Sequence, residues 1–215
     1  MTSTGLNVVD LRRALLFIAD EIINAESRLN ALDAESGDGD HGITMRVGFE
    51  AVKQHLEQVD VSVTFEQLLR GAAQVFMQAT GGAIGVILAK MLMGAGSVLR
   101  GARELGTPEL NSMLVAMEAA IAKAGGAKPG DKTILDSVHA ACRAAEAAFE
   151  SHRCVSDSLS LAAAAAEAAA EDTANMVCRV GRASRLGERT LGHPDPGAVS
   201  FSIMMRAFEQ SAAAR

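Results

Sequence analysis

Alanine constrains this chain more than any other residue. There are 40 alanines among 215 residues, and one stretch reads LAAAAAEAAA. Alanine loses no side-chain entropy in a helix. The chain has no Trp or Tyr and few β-branched runs that would favour a sheet. The sequence therefore points to an all-α fold. The alanine stretch reads as a tightly packed helix and not as a low-complexity linker.

Apolar periodicity divides the chain into helices. Asn7 caps a first helix in which Leu11, Leu15, Ile18, Ile22 and Leu29 recur at helical spacing to about residue 32. Further helices are expected over 42–57, over 64–79 from the capping box Thr64/Gln67, and over 83–104. Thr107 and Pro108 open another that ends at Gly125 and Gly126. The remaining helices are expected over 134–150, 156–179 and 198–213, with 181–197 irregular. Met91, Met93, Met113 and Met117 read as adaptable core filler. No repeat period and no Pro/Ser-rich linker interrupts the chain, so 1–215 is expected to be a single domain, a bundle of about eight helices.

Several function classes are disfavoured at once. With 20 Lys+Arg against 26 Asp+Glu the net charge is −6, which offers no broad basic face to nucleic acid. The seven Phe are the only aromatic residues, which removes the stacking platforms of single-strand binders. Three cysteines without a C-x-x-C pair suggest neither a disulfide framework nor a zinc cage, and fit a reducing cytoplasm. The first residues, MTSTGLNVVDLRRALLF, do not read as a signal peptide. The most apolar stretch, 81–98, carries Lys90 in its middle, so no membrane partner is expected.

The chemistry lies in the breaks between helices. In LDAESGDGDHG, Asp33, Asp38 and Asp40 fall within eight residues, interleaved with Gly37, Gly39 and Gly42. Three close carboxylates repel one another unless a cation sits between them, and oxygen-only ligands suit a hard ion such as Mg²⁺. An EF-hand is excluded, because counting from Asp33 puts Asp38 at the obligatory glycine and Thr44 at the bidentate Glu. His41, at the start of the next helix, is a cap or a phosphate contact. The segments TGGAIG, GGAKPGDKT and HPDPGA each place Gly at a helix start, where free N–H groups and the helix dipole favour an anion. With the acidic loop they suggest a Mg²⁺-nucleotide, although the chain has neither a P-loop nor a G-x-G-x-x-G. Arg182, Arg185 and Arg189 lie in the last break, and local sequence alone does not choose among them.

LDAESGDGDHG (32–42), GGAIG (81–85), GDKTILD (130–136), GRASRLGER (181–189) and DPGA (195–198), in this order, resemble the nucleotide-binding L subunits of bacterial dihydroxyacetone kinases. His41 distinguishes this signature from that of the related fatty-acid kinase domain, which has Thr there. The resemblance implies an eight-helix antiparallel barrel with the nucleotide in the loops at one end. It implies two Mg²⁺ on Asp33, Asp38 and Asp40, holding ADP or ATP. It places His41, Gly42, Ile43, Thr44, Ala83 and Ile84 along the phosphates, and Gly125 and Ile134 at the base. Arg182 would meet a phosphate, and Asp195, Pro196 and Gly197 the far side of the nucleotide. Ile84 and Val86 stand where the family commonly has Ser and Pro, which removes a hydroxyl and leaves the backbone N–H donors.

The implied activity is phosphoryl transfer to dihydroxyacetone held on a separate K subunit, from ATP or from bound ADP rephosphorylated by a phosphotransferase-system protein. A kinase subunit for another short ketose such as erythrulose, and a non-catalytic Mg-ADP-binding regulator, are the alternatives.

Overall fold

The structure is a computed structural model that describes residues 5–60 and 62–214. The first four residues, part of the N-terminal reading above, lie outside the described residues. The helices are α1 (Val8–Asn24), α2 (Glu26–Ala34), α3 (His41–Gln58), α4 (Phe65–Ala79), α5 (Gly82–Val98), α6 (Thr107–Gly125), α7 (Ile134–Glu150), α8 (Val155–Asp172) and α9 (Pro196–Ala213). Among the described residues the only β-type pairing is an isolated bridge between Leu6 and Leu105. None of the helices is long and apolar enough to cross a membrane.

Local chemistry starts these helices where the sequence places the starts. The Asn7 side chain accepts the Asp10 N–H at 3.0 Å while the Asp10 carboxylate accepts the Asn7 N–H at 3.0 Å. Thr64 and Gln67 form the same reciprocal box at 3.2 and 2.9 Å, and together such pairs satisfy two otherwise orphaned N–H groups per helix. The start of α6 falls one residue earlier than the Thr107 cap expected from sequence, because Gly106 takes the cap position and the Thr107 hydroxyl donates instead to the Arg153 carbonyl at 2.9 Å.

Packing closes the helices into a ring. α1 packs on α3, each of α3 to α8 on its successor, and α9 returns to α1, so eight long helices make a barrel with α2 attached. Short connections make neighbours antiparallel. Every second connection therefore lies at the same end: residues 35–40, 80–81, 126–133 and 173–195, which carry the four glycine-rich breaks. The opposite end holds the Leu6–Leu105 bridge, with N–H···O distances of 2.9 and 2.7 Å.

The barrel core is aliphatic and methionine-rich around Phe65, Phe76 and Phe201, with Met91, Met113 and Met117 buried as expected. The alanine stretch is the tightly packed helix it promised to be. Ala162, Ala163, Ala166 and Ala170 are buried on α8, close enough to α7 for the Ser137 hydroxyl to donate to the Ala166 carbonyl at 2.9 Å. All three cysteines are free.

Three boundaries differ from the sequence reading. The first helix breaks at Ala25 into α1 and α2, because α2 buries only Leu29 and has no apolar face for the barrel core. It packs on α3 instead, where any side chain at Gly42 would overlap the Glu26 carbonyl. The helix expected over 83–104 stops at Val98, ahead of a turn in which Gly101 takes φ +78°. The helix expected to reach 179 stops at Asp172. There the Thr173 hydroxyl donates to the Ala170 carbonyl at 2.5 Å and accepts the Asp195 N–H at 2.8 Å, turning the chain across the barrel end. Within the segment expected to be irregular, Ala183–Thr190 forms 3₁₀ turns kinked at Gly187.

Candidate functional site

The glycine-rich end of the barrel carries a cleft of about 580 Å³ lined by residues of three of the four breaks and of the first turns of α5. Asp33, Ser36, Gly37, Asp38 and His41 line it from the acidic loop, and Ala83, Ile84, Val86 and Ile87 from α5. Ile121, Ala124, Gly125, Ala127, Lys132, Thr133 and Ile134 come from the α6–α7 region, and Cys178 to Ala183 (without Arg179) and Asp195 to Gly197 from the last break.

The three acids converge. Asp33 lies in the last turn of α2, Asp40 precedes α3, and one carboxylate oxygen from each of Asp33, Asp38 and Asp40 lies within 4.8 Å of the others. Asp33 also shapes the loop, since its Oδ2 accepts the N–H groups of Asp40 at 3.1 Å and His41 at 3.4 Å. Asp40 holds the N-cap position of α3 but its side chain makes no capping bond. Desolvation and the charge of Asp38 push its carboxyl above the usual carboxylate range. Asp38 is held below that range by a hydrogen-bonded ion pair with the Arg182 guanidinium. The three-carboxylate, all-oxygen donor set fits a hard divalent ion.

His41 lines the cleft and is bonded to α9. It is 5% exposed, and the Ser200 hydroxyl donates its proton to the Pro196 carbonyl at 2.9 Å. His41 Nε2 therefore donates to Ser200 Oγ at 2.8 Å, tying α3 to α9. Burial pushes its pKa down to about 4, with Asp33 opposing, so the ring is neutral at pH 7. The sign follows from linkage. Between pH 6.5 and about 4 the unfolded chain takes up a proton that the folded one refuses, so stability is full above pH 6.5 and falls as pH drops through this window. Asp195, pushed up to about 7 mainly by desolvation, works in the opposite sense over an overlapping range. Denaturant melts at pH 7.5 and 4.5 are therefore best compared with His41→Gln. The wild type is expected to lose about 2–3 kcal/mol more than the variant, and an equal loss would contradict the neutral assignment.

The helix starts differ in what they offer an anion. At α3 three of the first four amides are engaged: His41 N–H by Asp33, Ile43 N–H by Asn30 Oδ1 at 3.1 Å, Thr44 N–H by the Asp40 carbonyl at 3.0 Å. Gly42, Ile43 and Thr44 do not line the cleft, and Gly42 is needed for the close approach of α3 to α2. Ile43 points 44% exposed to solvent. At α9, Asp195 Oδ1 accepts the Ala198 N–H at 2.7 Å. At α5 no side chain caps the start, and Ala83 and Ile84 face the cleft. Of Arg182, Arg185 and Arg189, only Arg182 lines the cleft.

Ile87, Ile121, Val180 and Lys132 were not singled out from sequence. Ile87 follows Ile84 at i+3 on one helix face, and Ile121 precedes Gly125 at i−4, spacings that could have located them. Lys132 lies inside GDKT, but nothing local shows where its side chain goes.

The chain belongs to the DAK2 domain family, whose model matches residues 35–210. It is 33% identical over 178 residues to the ADP-binding subunit DhaL of PEP-dependent dihydroxyacetone kinase 2 of Listeria innocua, covering 82% of each chain. It is 34% identical over 188 residues to the corresponding Escherichia coli subunit, covering 86% of this chain and 89% of that one. To the L-erythrulose 1-kinase of Mycolicibacterium smegmatis it is 36% identical over 183 residues, 85% of this chain but only 32% of that longer protein. The crystal structure of the native dihydroxyacetone kinase of C. freundii shares the fold, with a TM-score of 0.73 at 24% identity over 98% of this chain and 36% of that one. The same enzyme in complex with AMP-PNP and Mg²⁺ matches with a TM-score of 0.70 at 26% identity, over 93% of this chain and 33% of that one.

Proposed function

We propose that the chain, working as one unit over residues 1–215, is the nucleotide-holding phosphoryl-transfer subunit of a cytoplasmic dihydroxyacetone kinase. The observation that carries this reading is the convergence of Asp33, Asp38 and Asp40 in one cleft with the open start of α5 and with Arg182. The three carboxylates would hold two Mg²⁺ ions, which when bound neutralise and align the transferring phosphoryl group. Backbone N–H groups at Ala83 and Ile84 donate to phosphate oxygens with the positive end of the α5 dipole behind them. This favours α5 over α3 as the phosphate seat, so Ile43 and Thr44 support the loop instead. Ile84, Ile87, Ile121, Gly125 and Ile134 exclude water around the base, and Asp195, Pro196 and Gly197 border the opposite side. Catalysis of this kind is positioning and electrostatics, and calls for no nucleophile from this chain.

The ketose would sit on a separate K subunit, and ATP, or ADP rephosphorylated in place by a phosphotransferase-system protein, would supply the phosphate. The test is purification followed by assay. The chain alone is expected to bind Mg-ADP but neither to bind nor to phosphorylate dihydroxyacetone, and to support turnover once a K subunit is added. Robust kinase activity of the isolated chain would reject the two-subunit reading, and no turnover with any K subunit would leave a Mg-ADP-binding regulator. The likeness to the M. smegmatis enzyme favours erythrulose as the second ketose to assay. ADP retained through purification would mark the subtype rephosphorylated in place, and free exchange with ATP the other.

Arg182 separates from its neighbours in the same assay. Arg182→Ala removes a planar, charge-assisted donor and is expected to weaken Mg-ADP binding about tenfold. Lys should recover only part of it. Arg185→Ala and Arg189→Ala are expected to change affinity much less, and equal losses at all three would show that only the loop's total charge matters.

A further inference from the structure

Lys132 is a buried charge that the proposed chemistry does not use. It is 3% exposed and takes a left-handed backbone conformation, φ +62°. The turn that aims it is fixed by Asp136, whose carboxylate oxygens accept the N–H groups of Gly130 at 2.5 Å and Thr133 at 2.7 Å. The side chain ends on three backbone carbonyls: Met176 at 3.2 Å, His193 at 2.7 Å, and Thr190. All three ammonium protons thus find backbone acceptors, as a bare monovalent cation would in a ring of carbonyls. Burial works against the charge, and the nearby Asp195 carboxylate supports it.

The three carbonyls come from opposite sides of one loop. Met176 lies where the chain leaves α8, and Thr190 and His193 where it returns to α9. The Cys178 N–H to Thr190 Oγ1 bond at 3.0 Å and the Gly192 N–H to Ala174 carbonyl bond at 2.8 Å cross the same base. Between the pinched points lie Val180, Gly181, Arg182 and Ala183, all lining the cleft, and just beyond them Asp195.

We propose that Lys132 is a positioning residue: an internal ammonium ion that clamps the base of the 176–193 loop and thereby sets where Arg182 and Asp195 stand in the cleft. The consequence for ligand rests on the nucleotide reading above; the clamp itself is a statement about the loop. Without the ammonium, the three carbonyls regain partners most readily by opening to water.

The test uses the full chain with Lys132→Ala and Lys132→Met, amide hydrogen exchange over 177–190, and calorimetry with Mg-ADP. In both variants exchange of these amides is expected to quicken by about tenfold or more while the other helices keep their protection, and Mg-ADP affinity to fall about tenfold. Adding n-propylammonium should restore both properties in Lys132→Ala, where the space is open, and not in Lys132→Met, where it is filled. If only the aliphatic stem mattered, Met would behave as wild type, and that result would overturn the clamp. Wild-type exchange over 177–190 in both variants would overturn it equally. Should Lys132→Ala fail to fold, exchange in Lys132→Met decides by the same criterion. A wild-type chain that binds no Mg-ADP would remove the nucleotide reading, while the exchange results would still judge the clamp.

Discussion

Asp40→Asn is expected to weaken Mg²⁺-dependent ADP binding by more than about 100-fold, since loss of mere supporting contacts around a metal already costs about 10–100-fold. The same variant should keep wild-type helicity and a melting temperature equal to or slightly above that of the wild type. Both halves of the expectation come from the geometry. The Asp40 side chain makes no capping bond to α3, so its charge can be removed without loosening the helix start. Its carboxyl sits beside Asp33 and Asp38 and is pushed upward by desolvation and by the Asp38 charge, so neutralising it relieves repulsion. Asp33 is the contrasting case: it also accepts the N–H groups of Asp40 and His41, and Asp33→Ala should lose both the metal and the loop conformation. Calorimetry with and without Mg²⁺, paired with thermal melts, separates these outcomes. Undiminished affinity of Asp40→Asn in Mg²⁺ would sink the three-acid assignment.

Phe76→Ala should be the most damaging single change to the barrel itself. Phe76 is fully buried on α4 and meets Phe49 of α3 edge-to-face, with ring centroids 5.4 Å apart and an interplanar angle of 73°. Gly48 leaves the room that the ring fills. Truncating a buried Phe loses the transfer energy of the ring and leaves a cavity, about 3–5 kcal/mol in all. For a chain of this length each kcal/mol lowers the melting temperature by about 2–4 °C, so a fall of about 6–20 °C is expected. The 41%-exposed Phe149 provides the control, and Phe149→Ala should shift the melt little. Melts must be compared at the same ligand concentration, because nucleotide bound to the folded chain would raise both curves. A loss at Phe76 no larger than that at Phe149 would mean the α3–α4 seam is not part of the cooperative core.

Asn7, Thr64 and Gln67 act where local sequence placed them, because a cap involves atoms within one turn of the helix they start. Asp33, Asp38 and Asp40 were legible for the same reason: eight residues of glycine-rich chain cannot separate three carboxylates far. Arg182 was not distinguishable from Arg185 and Arg189 by composition, since its partner Asp38 lies 144 residues away. His41 carried a double reading, as a cap or a phosphate contact. Its partner Ser200 is on α9, and burial among elements far apart in sequence is what keeps the ring neutral.

Local sequence encodes that the chain is helical, where most helices begin, and which breaks carry acids and glycines. Those properties depend on interactions within a few residues. Tertiary structure alone decided that the break at Ala25 frees α2 to pack on α3, that side chains of α2 engage the His41 and Ile43 amides of α3 while none caps α5, and that Lys132 reaches the carbonyls of Met176, Thr190 and His193. Each of these depends on ring closure, which brings every second connection to one end of the barrel. Closure is driven by burying apolar faces whose partners are distant in sequence, and desolvation and long-range ion pairing exist only once it is complete.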